Sequence, residues 1–242
     1  MGLFGIFGNK KTSLIGSGVL MGARDSHTHI LPGVDDGVQT LVQSLEILAF
    51  VETVGITELW CTPHIMDDVP NRTEALKERF SGLCAAYRGP IKLRLAAEYM
   101  LDQEYEERLA NDDILTMDND IVLVETSANV PPYNLLDILE NTLSKGYRPM
   151  MAHPERNRYM EMADYRHLKD LGVLFQLNLY SLMGYYGETA MKKSRMLLKD
   201  GWYDAVGSDC HRMGTIVNQY NKAELPKEVV KDLETLLQTS RK

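Results

Sequence analysis

Residues 23–37 read ARDSHTHILPGVDDG. A short run ends in two histidines and a Pro-Gly turn follows at once, the mark of a strand that delivers polar side chains to a loop at its C-terminal end. Side chains alternate across a strand, so His27 and His29 share one face and Thr28 turns to the other.

From residue 23 onward, short apolar or β-branched runs alternate with segments of helical period. The strands read as 23–29, 57–62, 91–97, 120–125, 148–152, 172–178 and 203–207. Helices are predicted near 39–54, 72–87, 102–110, 133–145, 161–170, 187–199 and 226–239. Gly55 and Gly146 close helices, Pro90 and Gly172 precede strands, and Asn71 stands at a cap position after Pro70. Repeated strand–helix units without interruption predict parallel strands curled into a closed or nearly closed α/β barrel rather than an open doubly wound sheet. No GxGxxG or GxxxxGK[ST] follows the first strand, which removes the usual nucleotide-binding version of the open sheet. The expected organisation is an N-terminal extension, residues 1–22, and one barrel domain, residues 23–242, a length such a barrel commonly has.

Composition narrows the function. Hydrophobic residues at 44% and charged residues at 25% are ordinary for a globular chain and exclude disordered and fibrous classes. The net charge of -8 repels polyanions, so nucleic acid is not an expected partner. Cys61, Cys84 and Cys210 are odd in number and contain no CxxC, which predicts neither a disulfide framework nor a thiolate metal site and fits a reducing cytoplasm.

The opening MGLFGIFGNKK is too short to span a bilayer and reverses the order of a secretory signal. Gly2 suggests myristoylation, but Ile6 stands where Ser or Thr is required. Residues 1–11 are a candidate weak membrane-surface contact, with Leu3, Phe4, Ile6 and Phe7 at the boundary and Lys10 and Lys11 near anionic head groups, set against a simple packed tail. Self-association is left open.

In a parallel barrel the chemistry gathers at the C-terminal ends of the strands. There the chain places His27 and His29, then His64, Glu98, Glu125, His153, and finally Asp209 and His211. Only His167, inside a helical stretch, lies elsewhere and reads as a solvated residue. One histidine at a strand end is more often structural than functional, and the convergence is what matters. In Asp209-Cys210-His211 a period of two again puts the outer residues on one face. Imidazoles and carboxylates without thiolate suit Mn, Fe, Zn or Mg, and their number exceeds what one ion takes. Closely spaced cations suit phosphoester hydrolysis.

Arg156, just beyond His153, is a candidate phosphate clamp, its alternative being a loop salt bridge to Glu155 or Glu161. Arg158 and Arg212 are lesser candidates. Either Asp35 or Asp36 can reach the mouth, and chemistry alone does not choose. Tyr133, Tyr159, Tyr185 and Tyr186 are candidates for a ring-binding wall.

Taken together, HTHILPGVDDG, TPH, AAE, VET, AHPERNR and SDCH resemble the polymerase-and-histidinol-phosphatase (PHP) superfamily, and within it the bacterial capsule-associated protein-tyrosine phosphatases, from Arg24 to about Met213. The resemblance implies a distorted (β/α)7 barrel holding three divalent ions, manganese foremost. Glu98 would bridge, with Glu125 and His153 on one ion and His27, His29 and Asp209 on its neighbour. Asp36, His64 and His211 would hold the third, and Arg156 would bind phosphate. The implied substrate is a tyrosine-phosphorylated protein, the tail of a kinase controlling capsule or exopolysaccharide export. One departure stands out: relatives often carry a second phosphate-contacting arginine several residues after SDxH, whereas here Arg212 follows His211 directly and the next arginine is Arg241. The rival readings are a small-molecule phosphatase of the histidinol-phosphate type and a non-catalytic metal-binding barrel. Cysteine-dependent phosphatase chemistry is excluded, because Asp67, Pro90 and Ile216 stand where its phosphate-binding arginine would be.

Overall fold

The computed structural model describes residues 10–240. In chain order its strands and helices are β1 (Lys11–Ser13), β2 (Arg24–Thr28), α1 (Leu41–Thr53), β3 (Glu58–Cys61), β4 (His64–Ile65), α2 (Thr73–Ala86), β5 (Lys92–Leu95), β6 (Glu98–Met100), α3 (Gln103–Ala110), β7 (Ile121–Glu125) and α4 (Leu135–Ser144). There follow β8 (Arg148–Ala152), α5 (Met162–Leu171), β9 (Leu174–Asn178), α6 (Leu179–Leu182), α7 (Glu188–Lys199), β10 (Ala205–Gly207), α8 (Met213–Lys222), β11 (Glu224–Pro226) and α9 (Lys227–Thr239). Local chemistry sets the boundaries. Thr40 caps α1 by accepting from Gln43 N while its own N–H donates to the Gln43 side chain, and Gly172, left-handed at φ 98°, ends α5.

The central strands run in parallel as β10-β9-β8-β7-β6-β4 and as β2-β3-β5. These two sheets are one curl. Just past the strand expected over 57–62 and at the end of the one expected over 91–97, Thr62-Pro63 and Ala96-Ala97 break the ladder, so His64 and Glu98 each begin a second short piece, Glu98 not ending the first as expected. Pro63 has no N–H to continue the ladder, and its carbonyl instead accepts from Glu98 N at 3.0 Å. At the other edge Asp209 N donates to His27 O at 2.8 Å and His29 N to Cys210 O at 2.9 Å, which returns the last parallel strand to the first.

Alternation divides the core. Val122 and Val124 join the large cluster that packs the helices, whereas Leu123 belongs to a second cluster with Trp60, Ala96, Met150, Ala152 and Ala205 on the opposite face of the strands. Helix α8, the short α6 and the pair β1 and β11 were not expected. Helix α8 carries Thr215, Ile216 and Val217 in succession, a β-branched run that hides its helical period. The antiparallel pair of β1 with β11 joins segments some two hundred residues apart, too short to announce themselves. Through it residues 10–22 are strapped to the body, burying Leu14, Val19 and Leu20. No helix among the described residues is long and apolar enough to cross a membrane. Of the candidate membrane contact, Leu3, Phe4, Ile6 and Phe7 lie outside the described residues.

Candidate metal centre

His27 and His29 leave β2 on the same side, with their Nε2 atoms 3.0 Å apart. The Thr28 hydroxyl points elsewhere, donating to Trp60 O at 2.7 Å. Each imidazole is fixed from behind. His27 Nδ1 meets Gln176 Oε1 at 2.7 Å, and the Gln176 amide is itself oriented by donating to Ser26 O and Oγ. His29 Nδ1 meets Asp35 Oδ2 at 2.8 Å, and the same carboxylate accepts from Gly37 N and His64 N. Partners of this kind fix the tautomer and leave Nε2 as the free lone pair, as metal-binding histidines require.

The other seven strand-end residues gather around Glu98. Its Oε2 lies 3.1 Å from His27 Nε2, 3.2 Å from His29 Nε2 and 3.2 Å from His64 Nδ1, and its Oε1 lies 3.0 Å from His153 Nε2. Glu125 reaches His64 at 3.2 Å and His153 at 3.8 Å. Asp209 Oδ1 faces His27, His29 and His211 at 3.6, 3.4 and 3.4 Å. Asp36 Oδ1 stands 3.2 Å from His211 Nε2 and 3.7 Å from His64 Nε2. The two aspartates of the DDG turn are thereby separated: Asp35 supports His29 from behind, and Asp36 faces the opening.

The donor set fits divalent ions. Glu98 Oε2 and His64 Nδ1 are buried without a hydrogen bond, although nitrogen and oxygen stand only 3.2 Å apart, because their angles do not suit one. Three groups, His29-Asp36-His64-His211, His27-His29-Glu98 and His64-Glu98-Glu125, each keep their ligand atoms within 4.8 Å of one another, the crowding expected around cations. Burial penalises charge on His27, but the carboxylates of Glu98 and Asp209 outweigh it and hold the imidazole above its ordinary pKa. Burial likewise opposes the Glu98 carboxylate, and His27 and His64 more than reverse that, lowering it well below the usual range.

Backbone geometry departs from regular strand at two of these residues. His153 and Asp209 are left-handed at φ 36° and 54°, the kind of strain that persists where the surroundings over-determine it. Asp209 and His211 do share a face, with the buried Cys210 thiol turned toward Arg212 O and Cys210 bridged to Thr28 beyond the end of β10, but the left-handed Asp209 interrupts regular strand alternation there. Close approach is needed as well. A Cβ on Gly207 would stand 2.5 Å from His27 Cβ, and one on Gly37 would collide with His29 O.

Arg156 does not pair with Glu155 or Glu161. Its Nη1 donates to Asp209 Oδ2 at 2.7 Å and its guanidinium lies 4.2 Å from the Tyr186 ring centroid. Asn178 Nδ2 and the Tyr186 hydroxyl donate to the same oxygen, at 3.0 and 3.2 Å. Glu155 is buried beneath, accepting from Asn178 N and from the Tyr203 hydroxyl. Of the four tyrosines considered as a wall, Tyr186 alone lines the cleft. Tyr133 is fully exposed, Tyr185 packs against Tyr180, and Tyr159 bonds Thr126. Arg158, Arg212 and His167 are exposed. Gln176 and Asn178 were not anticipated; their only signal was a polar residue at alternate positions of an otherwise apolar strand.

The cleft over this cluster encloses about 360 Å³ and is bounded by Met66 and Val69 on one side and Arg156 and Tyr186 on the other. A larger cavity, about 630 Å³, opens at the other end of the strands. Its charges are largely paired, Arg24 with Glu58 and Asp118 and Arg148 with Asp120, and among the described residues it gathers no metal-ligating set.

Fold and site together define a class: an α/β protein whose curled parallel sheet carries, at the C-terminal ends of its strands, a compact centre of imidazoles and carboxylates able to hold divalent ions. The sequence model of the family "Capsular polysaccharide synthesis, CpsB/CapC" matches residues 23–225, and the chain belongs to that family. It is 28% identical over 230 residues to the tyrosine-protein phosphatase YwqE of Bacillus subtilis, covering 88% of this chain and 91% of that protein. A solved structure from a study of YwqE and of CpsB from Streptococcus pneumoniae, described as unique metal-dependent tyrosine phosphatases, superposes with a TM-score of 0.67 at 25% identity, over 89% of this chain and 94% of the other. An amidohydrolase from Burkholderia ambifaria with bound zinc shares the fold, with a TM-score of 0.53 at 12% identity over 97% of this chain and 89% of the other.

Proposed function

We propose that this chain is a metal-dependent, cysteine-independent protein-tyrosine phosphatase acting in the cytoplasm on a tyrosine kinase that regulates capsule or exopolysaccharide synthesis. The observation that carries the reading is the convergence of three imidazole nitrogens on Glu98 Oε2, within 3.2 Å, in a recessed cleft of a CpsB/CapC family member. The fold is read as a distorted (β/α)7 barrel over residues 23–242, to which residues 10–22 are strapped.

In this reading Glu98 would be shared between ions, His27, His29 and Asp209 would hold one, Glu125 and His153 a second, and Asp36, His64 and His211 a third, with manganese the expected metal. Bound there, the ions supply Lewis-acid polarisation of the phosphoryl oxygens and activation of water. Arg156 binds and orients the phosphate, and its guanidinium offsets the charge that builds on the equatorial oxygens. Gln176 and Asp35 hold the two β2 imidazoles in place, and Tyr186 walls the cleft on the leaving-group side.

The test is a panel of phosphotyrosine peptide, phosphoserine peptide, histidinol phosphate and oligonucleotide, each assayed with Mn²⁺ and with chelator. Fastest turnover of the phosphotyrosine peptide, lost on chelation, is expected. Preference for histidinol phosphate would sink the substrate assignment, and inactivity of the metal-loaded protein on every substrate would make it a non-catalytic module.

A further inference from the structure

Arg156 and Tyr186 form a wall with a cleft on each side. One is the metal-facing cleft; the other, about 210 Å³, is completed by Ala128, Glu155, Arg158, Thr189 and Ala190. These residues come from the loops after β7 and β8 and from the first turn of α7, so the second cleft opens at the same end of the sheet as the imidazoles. Ala128 and Ala190 leave it room. Its one carboxylate, Glu155, is buried and engaged by Asn178 and Tyr203. Its free charge is cationic: Arg158 is anchored by its backbone N–H on Ala128 O at 2.7 Å, while its side chain is exposed and makes no ion pair among the described residues.

The facing lip has the opposite sign. Met66 and Val69 bridge each other to form a tight turn that presents Asp68 and Asp67, both exposed, Asp67 Oδ1 accepting from Glu104 N at 3.1 Å, and Asp36 is 69% exposed nearby on the cleft itself. β4, which leads into that turn, is separated from β8, which leads to Arg156, by β6 and β7. The mouth is therefore polarised, acids on one lip and arginines on the other, in a chain of net charge -8.

We propose that the cleft beside Arg158 is a specificity subsite for an acidic side chain of the substrate peptide, close in sequence to the phosphotyrosine whose phosphate occupies the metal-facing cleft. The inference rests on the phosphatase reading and adds a sequence preference to it. An acid placed there meets Arg158 and stays away from the Asp67-Asp68 lip; a base placed there meets like charge. Exposed pairs are individually weak, so discrimination comes from attraction at one lip combined with repulsion at the other, and added salt reduces it.

The experiment uses the Mn²⁺-loaded full chain and phosphotyrosine peptides carrying Glu, Gln or Lys at each of the two positions on either side of the phosphotyrosine. The reading is kcat/KM relative to the Gln peptide, within each enzyme variant. At one or more positions Glu should exceed Lys by about tenfold, chiefly through KM; Arg158→Gln should flatten that ratio and Arg158→Glu should invert it. A ratio under about twofold at every position, or one that Arg158→Glu leaves in place, overturns the subsite while the phosphatase reading stands. If no phosphotyrosine peptide turns over, both fall.

Discussion

The Arg156 guanidinium donates to Asp209 Oδ2 at 2.7 Å, so the proposed phosphate-binding cation is tied to a proposed ligand of the metals. The carboxylate divides its labour: Oδ1 looks toward His27, His29 and His211, while Oδ2 accepts from Arg156, Asn178 and Tyr186. Three donors behind one oxygen orient the Asp209 carboxylate, and removing one leaves two in place. Arg156→Ala should therefore keep its metals, measured by elemental analysis, yet lose about 2 to 4 kcal/mol of transition-state stabilisation in kcat/KM, the scale for one charged contact. Loss of metal in that variant would make Arg156 a support for Asp209 instead.

Asp209, Cys210 and His211 are neighbours in sequence with unequal tasks. Asp209→Ala and His211→Ala should each lower kcat by orders of magnitude and reduce bound metal. Cys210 is buried and turned toward Arg212 O, and burial pushes its thiol up to about 12, so it is neither ligand nor nucleophile. Cys210→Ala should keep activity within about a factor of ten. An inactive, metal-replete Cys210→Ala protein is the outcome that contradicts this geometry.

Metal loading should expel protons. Burial disfavours charge on His29 and His64, but for His29 the carboxylates of Asp209, Asp35 and Glu98, and for His64 those of Glu98 and Glu125, outweigh it and raise both above the ordinary imidazole pKa, as for His27. His27, His29 and His64 thus hold protons more tightly than free imidazoles do, and ligation must displace them, whereas burial and the neighbouring His29 shift His211 the other way. A raised pKa favours the protonated, metal-free form as pH falls, so apparent Mn²⁺ affinity should weaken with acidification. Titration calorimetry in buffers of different ionisation enthalpy measures the release directly; a heat independent of buffer contradicts it.

How much of this was legible depends on the range over which each feature is determined. His27 and His29 could be placed on one face from adjacent residues, because strand alternation is local. Their supports could not: Gln176 reaches His27 across 149 positions of sequence, and nothing in Leu174–Asn178 says which polar side chain faces the cluster. Asp209 and His211 were expected to face inward for a reason that does not operate, since Asp209 has left the strand at φ 54°. The interruption at Thr62-Pro63 was visible as a proline, but its consequence, that His64 pairs with Glu98 at the start of two new pieces, needs the curled sheet around it.

Gly207 shows how tightly β10 is pressed on β2. An added methyl would stand 2.5 Å from His27 Cβ, whose position the backbone fixes, and 3.1 Å from Gln176 Oε1. Gly207→Ala should cost about 1 to 3 kcal/mol in stability, as overpacking of a filled interior does, and should also weaken metal binding by displacing His27. Unfolding midpoint and metal content measured together distinguish this from simple loosening; an unchanged midpoint would show that the two strands can separate at no cost.

The ligand set is graded in depth, and that gradient bears on substrate. His27, His29 and Glu98 are almost wholly buried, His64 and His211 partly so, and Asp36 is 69% exposed at the rim. A phosphate reaching the innermost donors must pass between Met66 and Val69 on one lip and Arg156 and Tyr186 on the other. Phosphotyrosine carries its phosphate about one ring length farther from the peptide backbone than phosphoserine does, and a flat ring suits a slot walled by an aromatic face. The backbone of a phosphoserine peptide would have to enter a cleft of about 360 Å³ to deliver its phosphate equally deep. The expected kcat/KM for a phosphotyrosine peptide therefore exceeds that for the matched phosphoserine peptide by at least about 10², roughly 2.7 kcal/mol. Tyr186→Ala, which opens the wall, should narrow this ratio from the phosphotyrosine side while the bound metal stays constant. Equal rates on the two peptides would mean that the lips part freely, and depth would then play no role in the selection.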